Sequence, residues 1–267
     1  MANTTQSPLM KPSSMSSMRK TAFVAGFLYL LTYASSIPAA LLLGDTLANP
    51  DYILGAGAAG QVRLAALFDI VNGLAAFGTA VALYSVLKRQ HGGFAIGFVT
   101  SRLFEAAILF VGILSVLAIA TLRETAAGTD PASLRTVGLS LTTLYELAFT
   151  LGTGVPALNA FLLGWLLYKS RLVPRAIPVV GLIGAPLFTS WIIGYVLGFT
   201  ERDTAWMAIG VAPIFIWELA LGLWMTFKGF RKDAPLMIEA ADQDARVDRA
   251  GTKPRAEVGI ASKAGAA

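Results

Sequence analysis

At 267 residues, 55% hydrophobic and only 14% charged, with a mean hydropathy of +0.65, the chain is too apolar for a water-soluble domain, whose charged share is nearer ~25%. Its net charge of +5 sits at the ends of apolar runs rather than in a patch, which sets nucleic acid aside as a partner and makes the basic residues topology signals. Cysteine is absent and histidine occurs once, at His91, so thiolate chemistry, iron-sulfur ligation, Cys/His zinc sites and histidine-bound haem are excluded, and neither metal nor cofactor is expected.

Residues 1–20, rich in Ser, Thr, Met and Pro, read as a flexible tail that ends in Arg19 and Lys20. The apolar run from Thr21 to Leu43 outlasts the ~7 to 15 residues of a signal-peptide core, so it reads as a retained first membrane helix. Five further runs reach the ~20 residues needed to cross ~30 Å of hydrocarbon. They are Val62 to Leu87, Phe94 to Leu122, Leu139 to Tyr168, Ile177 to Phe199 and Ala205 to Phe227. Residues 21–230 thus form the transmembrane domain. From 231 to 267 acids and bases alternate among Ala and Gly with no apolar period, which reads as a disordered tail too balanced in charge to anchor on lipid headgroups.

The connections alternate in charge. One set carries Lys11, Arg19 and Lys20, then Lys88 and Arg89, then Lys169, Arg171 and Arg175, then Lys228, Arg231 and Lys232. The other carries Arg63, Arg123, Arg135 and Arg202 against Asp45, Asp51, Glu124, Asp130, Glu201 and Asp203. The expected fold is therefore an all-α membrane protein, a bundle of six transmembrane helices with both termini in the cytoplasm. Two G-x-x-x-G spacings, Gly93 with Gly97 and Gly194 with Gly198, are expected at close helix contacts, and Pro156, Pro186 and Pro213 should kink their helices.

Five ionisable side chains fall within the spans: Asp69, Arg102, Glu105, Glu146 and Glu218. Each costs ~2.5 to 3.5 kcal/mol near the bilayer centre, so each should face the bundle interior and find a partner. The third helix shows the scale. Its Arg102 and Glu105 together cost ~5 to 7 kcal/mol, against ~5 to 10 from its Leu, Ile, Val and Phe residues, and at spacing i, i+3 they can pair along one face. Counted at ~1.5 Å per residue, Asp69 and Glu146 lie at similar depth, Asn72 and Glu105 somewhat deeper, and Arg102 and Glu218 deepest, as a layered cluster across the bundle.

Polar stripes at helical spacing support a hydrated interior: Asp69, Asn72, Ala76 and Thr79; Thr142, Glu146, Thr150 and Thr153; Tyr29, Thr32 and Ser36. Their hydroxyls have an alternative in bonding to their own helix backbone. Leu67-Phe68-Asp69, Leu103-Phe104-Glu105, Leu144-Tyr145-Glu146 and Ile216-Trp217-Glu218 share an aliphatic, aromatic, acid order, which tandem duplication or chance can explain. Four acids against one Arg leave three charges uncompensated, so at least one acid should carry a proton, and the site could exchange protons or accept a cation. Hydrolysis lacks its parts: there is no H-E-x-x-H, no Ser and His pair, and a single intramembrane Asp.

Arg102-Leu103-Phe104-Glu105-Ala106-Ala107, together with the run from Leu163 to Arg175 (Leu-Gly-Trp-Leu-Leu-Tyr-Lys-Ser-Arg-Leu-Val-Pro-Arg), resembles the bacterial multi-pass family catalogued as domain of unknown function 4386. The resemblance covers roughly Arg19 to Lys232. It implies a bacterial inner (cytoplasmic) membrane and no established activity; relatives often carry His at the place of Asn159, which speaks against a metal at that position here. The candidate ligand-binding or proton-relay residues are Asp69, Asn72, Arg102, Glu105, Glu146 and Glu218. The expected partners are the lipid bilayer and a small polar solute or proton. Two functions stand side by side, a small transporter or solute-binding protein with proton coupling and a non-catalytic scaffold or regulatory subunit, with a lipid enzyme behind both.

Overall fold

The six apolar runs become six helices in the computed structural model, which describes residues 14–44, 46–47, 49–55 and 59–251. They are α1 (Ser14–Leu43), α2 (Ala59–Leu87), α3 (Gly92–Thr125), α4 (Pro131–Ser170), α5 (Ala176–Val196) and α6 (Ala205–Phe227). A 3-10 turn (Tyr52–Leu54) interrupts the first connection, and α7 (Pro235–Gly251) follows the last span. All six long helices are apolar enough to cross a membrane. The chain is a multi-pass membrane protein.

Several helices extend past their apolar runs because a backbone ladder stops at a cap, not at the lipid boundary. The clearest case is α4, which starts at Pro131 rather than Leu139. Pro131 supplies a first helical residue with no N–H to satisfy, and the Asp130 carboxylate accepts from the Ser133 amide and hydroxyl, each at 2.9 Å. Those bonds hold the Asp130 carboxyl below the usual carboxylate range, the amide bond contributing most. His91 caps α3 through Nδ1, which accepts from the Phe94 amide at 3.2 Å.

Each helix packs on its neighbours in chain order, and α6 returns to α1, so the six close into a ring. The closing seam brings backbone against backbone. A Cβ on Gly26 would lie 2.5 Å from the Thr226 amide nitrogen and 2.8 Å from the Gly222 carbonyl, so the α1 and α6 backbones touch directly. Arg19 then spans the gap, donating to the carbonyls of Met225, Thr226 and Phe227, each at 3.2 Å, at the negative end of the α6 dipole. Further along, the Tyr33 hydroxyl donates to the Phe215 carbonyl at 2.8 Å.

The anticipated G-x-x-x-G pairs are not the close contacts. As pairs they fail: Gly93 meets only the ring of its neighbour His91, and Gly198 lies beyond the end of α5 in open space. Gly194 alone sits at a tight contact, where a Cβ would lie 2.8 Å from the Trp206 ring of α6, and one on Gly97 would meet Leu162 of α4 at an ordinary 3.6 Å. The approach requires a facing partner of matching shape, which spacing within one helix does not reveal.

Large apolar side chains exposed on every spanning helix, among them Leu41, Leu74, Leu114, Phe161, Ile183 and Phe227, form the outer wall. A surface of that kind is tolerated only against lipid or a partner. At the end of the ring away from the termini, arginines pair with acids: Arg63 with Glu124 and Arg135 with Asp51, both at 2.6 Å, while Arg123 lies over the Tyr52 ring and donates to the Gly55 carbonyl.

The segment after residue 231 corrects an expectation. Residues 235–251 are helical, where a disordered tail was read, and Leu236, Met237 and Ala240 are buried in the same core as Met18, Ala22, Leu172 and Phe230. Three apolar residues among charges are too sparse for a periodic signal; docking on the start of α1 and the α4–α5 turn supplies the stability. Residues 14–20, expected within the flexible tail of residues 1–20, are instead the first turns of α1; residues 1–13 with Lys11, residues 252–267 and Asp45 lie outside the described residues.

Candidate functional site

One helical turn of α3 carries Arg102 and Glu105, and the ring closure brings α1 and α6 to the same place. Arg102 Nη1 donates to both oxygens of Glu105, at 2.9 and 3.2 Å. Its Nη2 donates to Glu218 Oε1 of α6 at 2.5 Å and to the Tyr29 hydroxyl of α1 at 3.0 Å. The guanidinium also lies over the rings of Tyr29 and Phe98, 5.2 and 5.9 Å from their centroids. Four of its five N–H groups are thereby used; Nε is buried with no partner. α4 adds Asn159, whose amide donates to Glu105 Oε2 at 2.6 Å and accepts from the Ser101 hydroxyl.

Charge within this cluster does not balance. With both acids ionised, the one positive charge of Arg102 faces the two negative charges of Glu105 and Glu218, one negative charge in excess. The side chains of Arg102 and Glu105 are 3% and 8% exposed, that of Glu218 14%. Glu218 is therefore the acid most open to an incoming group.

The opening is a central cavity of about 210 Å³ to which all six spanning helices contribute. Thr32, Tyr33 and Ser36 come from α1, Asn72 and Ala76 from α2, and Arg102, Glu105 and Leu109 from α3. Phe149, Gly152, Thr153 and Pro156 come from α4, Phe188 from α5, and Val211, Ile214, Phe215 and Glu218 from α6. It is smaller than the ~300 to 1,000 Å³ typical of pockets for drug-sized ligands. A small polar solute suits it.

Of the six residues singled out from sequence, the structure brings Arg102, Glu105 and Glu218 into contact and places Asn72 on the same cavity. Asp69 is buried in a neighbouring chamber between α2, α3 and α4. Glu146 departs from the layered cluster. It is exposed and lines a separate hollow with Asn49, Tyr52 and Thr142 at the end away from the termini. The inward face of α4 runs through Tyr145, Phe149, Gly152 and Pro156, a step around the helix from Glu146, so depth alone misplaced it.

Tyr29, Ser101 and Asn159 were missing from the candidate set. Tyr29 had a signal in the α1 polar stripe. Asn159 and Ser101 are uncharged, and insertion cost does not single them out. The hydroxyls of Thr32, Thr79 and Thr153 donate to their own helix backbones, to the carbonyls of Tyr29, Ala76 and Thr150, so these threonines donate no cross-helix bond. Among the described residues, no group of three or more His, Asp or Glu is arranged to hold a metal.

The family model described as Domain of unknown function (DUF4386) matches residues 24–229, from α1 to just past the end of α6. No curated protein and no solved structure gives a match.

Proposed function

We propose, starting from the fact that the chain belongs to the DUF4386 family, that its central cavity is the binding site of a small transporter for a cationic solute, with a proton as the alternative occupant. The observation that carries this reading is that two acids share a single arginine beside the cavity, so that full ionisation would leave a negative charge in excess. An uncompensated carboxylate inside a bundle is costly, so the site is at ease only when a proton or a cation joins it. An anion is disfavoured because both Nη groups of Arg102 are already engaged.

Competition between proton and solute makes affinity fall as pH falls. The ionisable groups facing the cavity are Tyr33 of α1, Arg102 and Glu105 of α3 and Glu218 of α6, with Tyr29 of α1 behind them on Arg102; α2, α4 and α5 present Asn72, Thr153 and Phe188. A thermal-shift screen of small primary and quaternary amines on the purified chain is the test. A solute at a hundred times its Kd stabilises by ~2.7 kcal/mol. The expected result is a Tm rise that grows with pH and disappears in Glu218→Gln, which leaves Arg102 and Glu105 as a neutral pair and the fold intact. Stabilisation retained in that variant, or no stabilising amine at any pH, would contradict the reading.

A second reading, a scaffold or regulatory subunit whose charges only fix helix packing, is favoured by the engagement of both Nη groups of Arg102 with partners inside the bundle. It predicts no solute effect. For orientation, the basic connections that hold Lys88, Lys169, Arg175 and Lys228 lie with the termini, whereas Arg63 and Arg135 at the other end are neutralised by acids. That asymmetry supports both termini in the cytoplasm of a bacterium, with the ring in its inner membrane.

A further inference from the structure

The chamber around Asp69 has a property the cavity lacks. Asp69 is 6% exposed, and its carboxyl makes no hydrogen bond or ion pair among the described residues. Leu109, Ile113 and Phe149 surround it, and Tyr145 is the other ionisable side chain of the lining. The chamber has no room for a water-sized molecule. A solute does not fit that volume, and a bare carboxylate there is disfavoured by its missing partners. Asn72, one helical turn from Asp69, lines both the chamber and the central cavity, as do Leu109 and Phe149.

We propose that Asp69 is a second proton-binding site, exchanging its proton with the central cavity past Asn72. The step is a simple transfer: the O–H bond of the Asp69 carboxyl breaks, and the proton passes to water on the cavity side, leaving a carboxylate that its apolar, partnerless surroundings disfavour. Return of the proton restores the neutral carboxyl. The inference deepens the reading of the cavity as a proton-exchanging site and rests on it.

Infrared spectroscopy of the full-length protein in lipid nanodiscs tests it without any transported solute. Asp69 is the one aspartate within a span; the others lie in the connections between spans, after α6 or in α7, so isotopic labelling of aspartate carboxyls isolates the membrane-buried one in unmutated protein. The expected result is a protonated-carboxyl C=O band at neutral pH that shifts on aspartate labelling and is lost in Asp69→Asn. On transfer to deuterium oxide that band should move, and Asn72→Leu should slow the movement several-fold; Asn72→Val serves if the leucine variant does not fold. Absence of a label-sensitive band overturns the proposal, as does exchange unchanged by the Asn72 variants. Should Asp69→Asn not fold, the labelling result decides alone. Failure of the amine screen would leave this band unaffected, so the two readings fail separately.

Discussion

Exchange of Arg102 for methionine should cost ~3 to 5 kcal/mol and remove most folded protein from a detergent extract, measured as yield of monodisperse protein and Tm. The cause is what the substitution leaves behind. Glu105 and Glu218 would remain in the bundle with no counter-charge, and the Tyr29 hydroxyl would lose its partner. Lysine should rescue only in part, because one ammonium lacks the fork that reaches Glu105, Glu218 and Tyr29 together. The triple variant Arg102→Met, Glu105→Gln, Glu218→Gln should be markedly more stable than Arg102→Met alone, since removing a whole buried ionic group is often near neutral. Were the triple variant no better than the single, the loss would come from the arginine's packing and not from stranded charge.

Gly26→Leu should be nearly as damaging. Overpacking a tight contact costs ~1 to 3 kcal/mol when side chains can yield. Here the obstacles are the Thr226 amide nitrogen at 2.5 Å and the Gly222 carbonyl at 2.8 Å, which can move only if α1 and α6 separate. That separation opens the seam that places Tyr29 and Glu218 against Arg102, so the expected result is both a fall in Tm and loss of any solute stabilisation. Gly60→Leu, at a helix start with nothing within 4 Å, is the control and should melt within error of the unaltered protein.

How far the molecule can be read from its residues differs by feature, and the differences have physical causes. Six spans are legible because crossing hydrocarbon demands a long apolar run, which composition displays directly. The true start of α4 is not, since Asp130 and Pro131 set it by capping, eight residues before the apolar run begins. The union of Arg102, Glu105 and Glu218 follows from the cost of charge in lipid, which forces such groups to meet. Glu146 escapes that rule by sitting near the end of the bundle, where it is exposed in a hollow instead of hidden. Asn159 and Ser101 complete the site through hydrogen bonds whose partners come from different helices, and no count along one helix reveals a neighbour across the gap.

The account turns on a cavity inside the ring that water and small solutes reach. The chain has no cysteine, so single cysteines can be introduced into it without a background. Ser36→Cys on α1 and Thr153→Cys on α4 place a thiol on the cavity wall, and Leu114→Cys places one on the exposed outer wall of α3. In protein held in lipid, a small cationic methanethiosulfonate reagent should label the first two and spare the third, with Glu218→Gln slowing both cavity reactions. Equal inertness at all three positions would mean a dry, closed centre and would contradict the account.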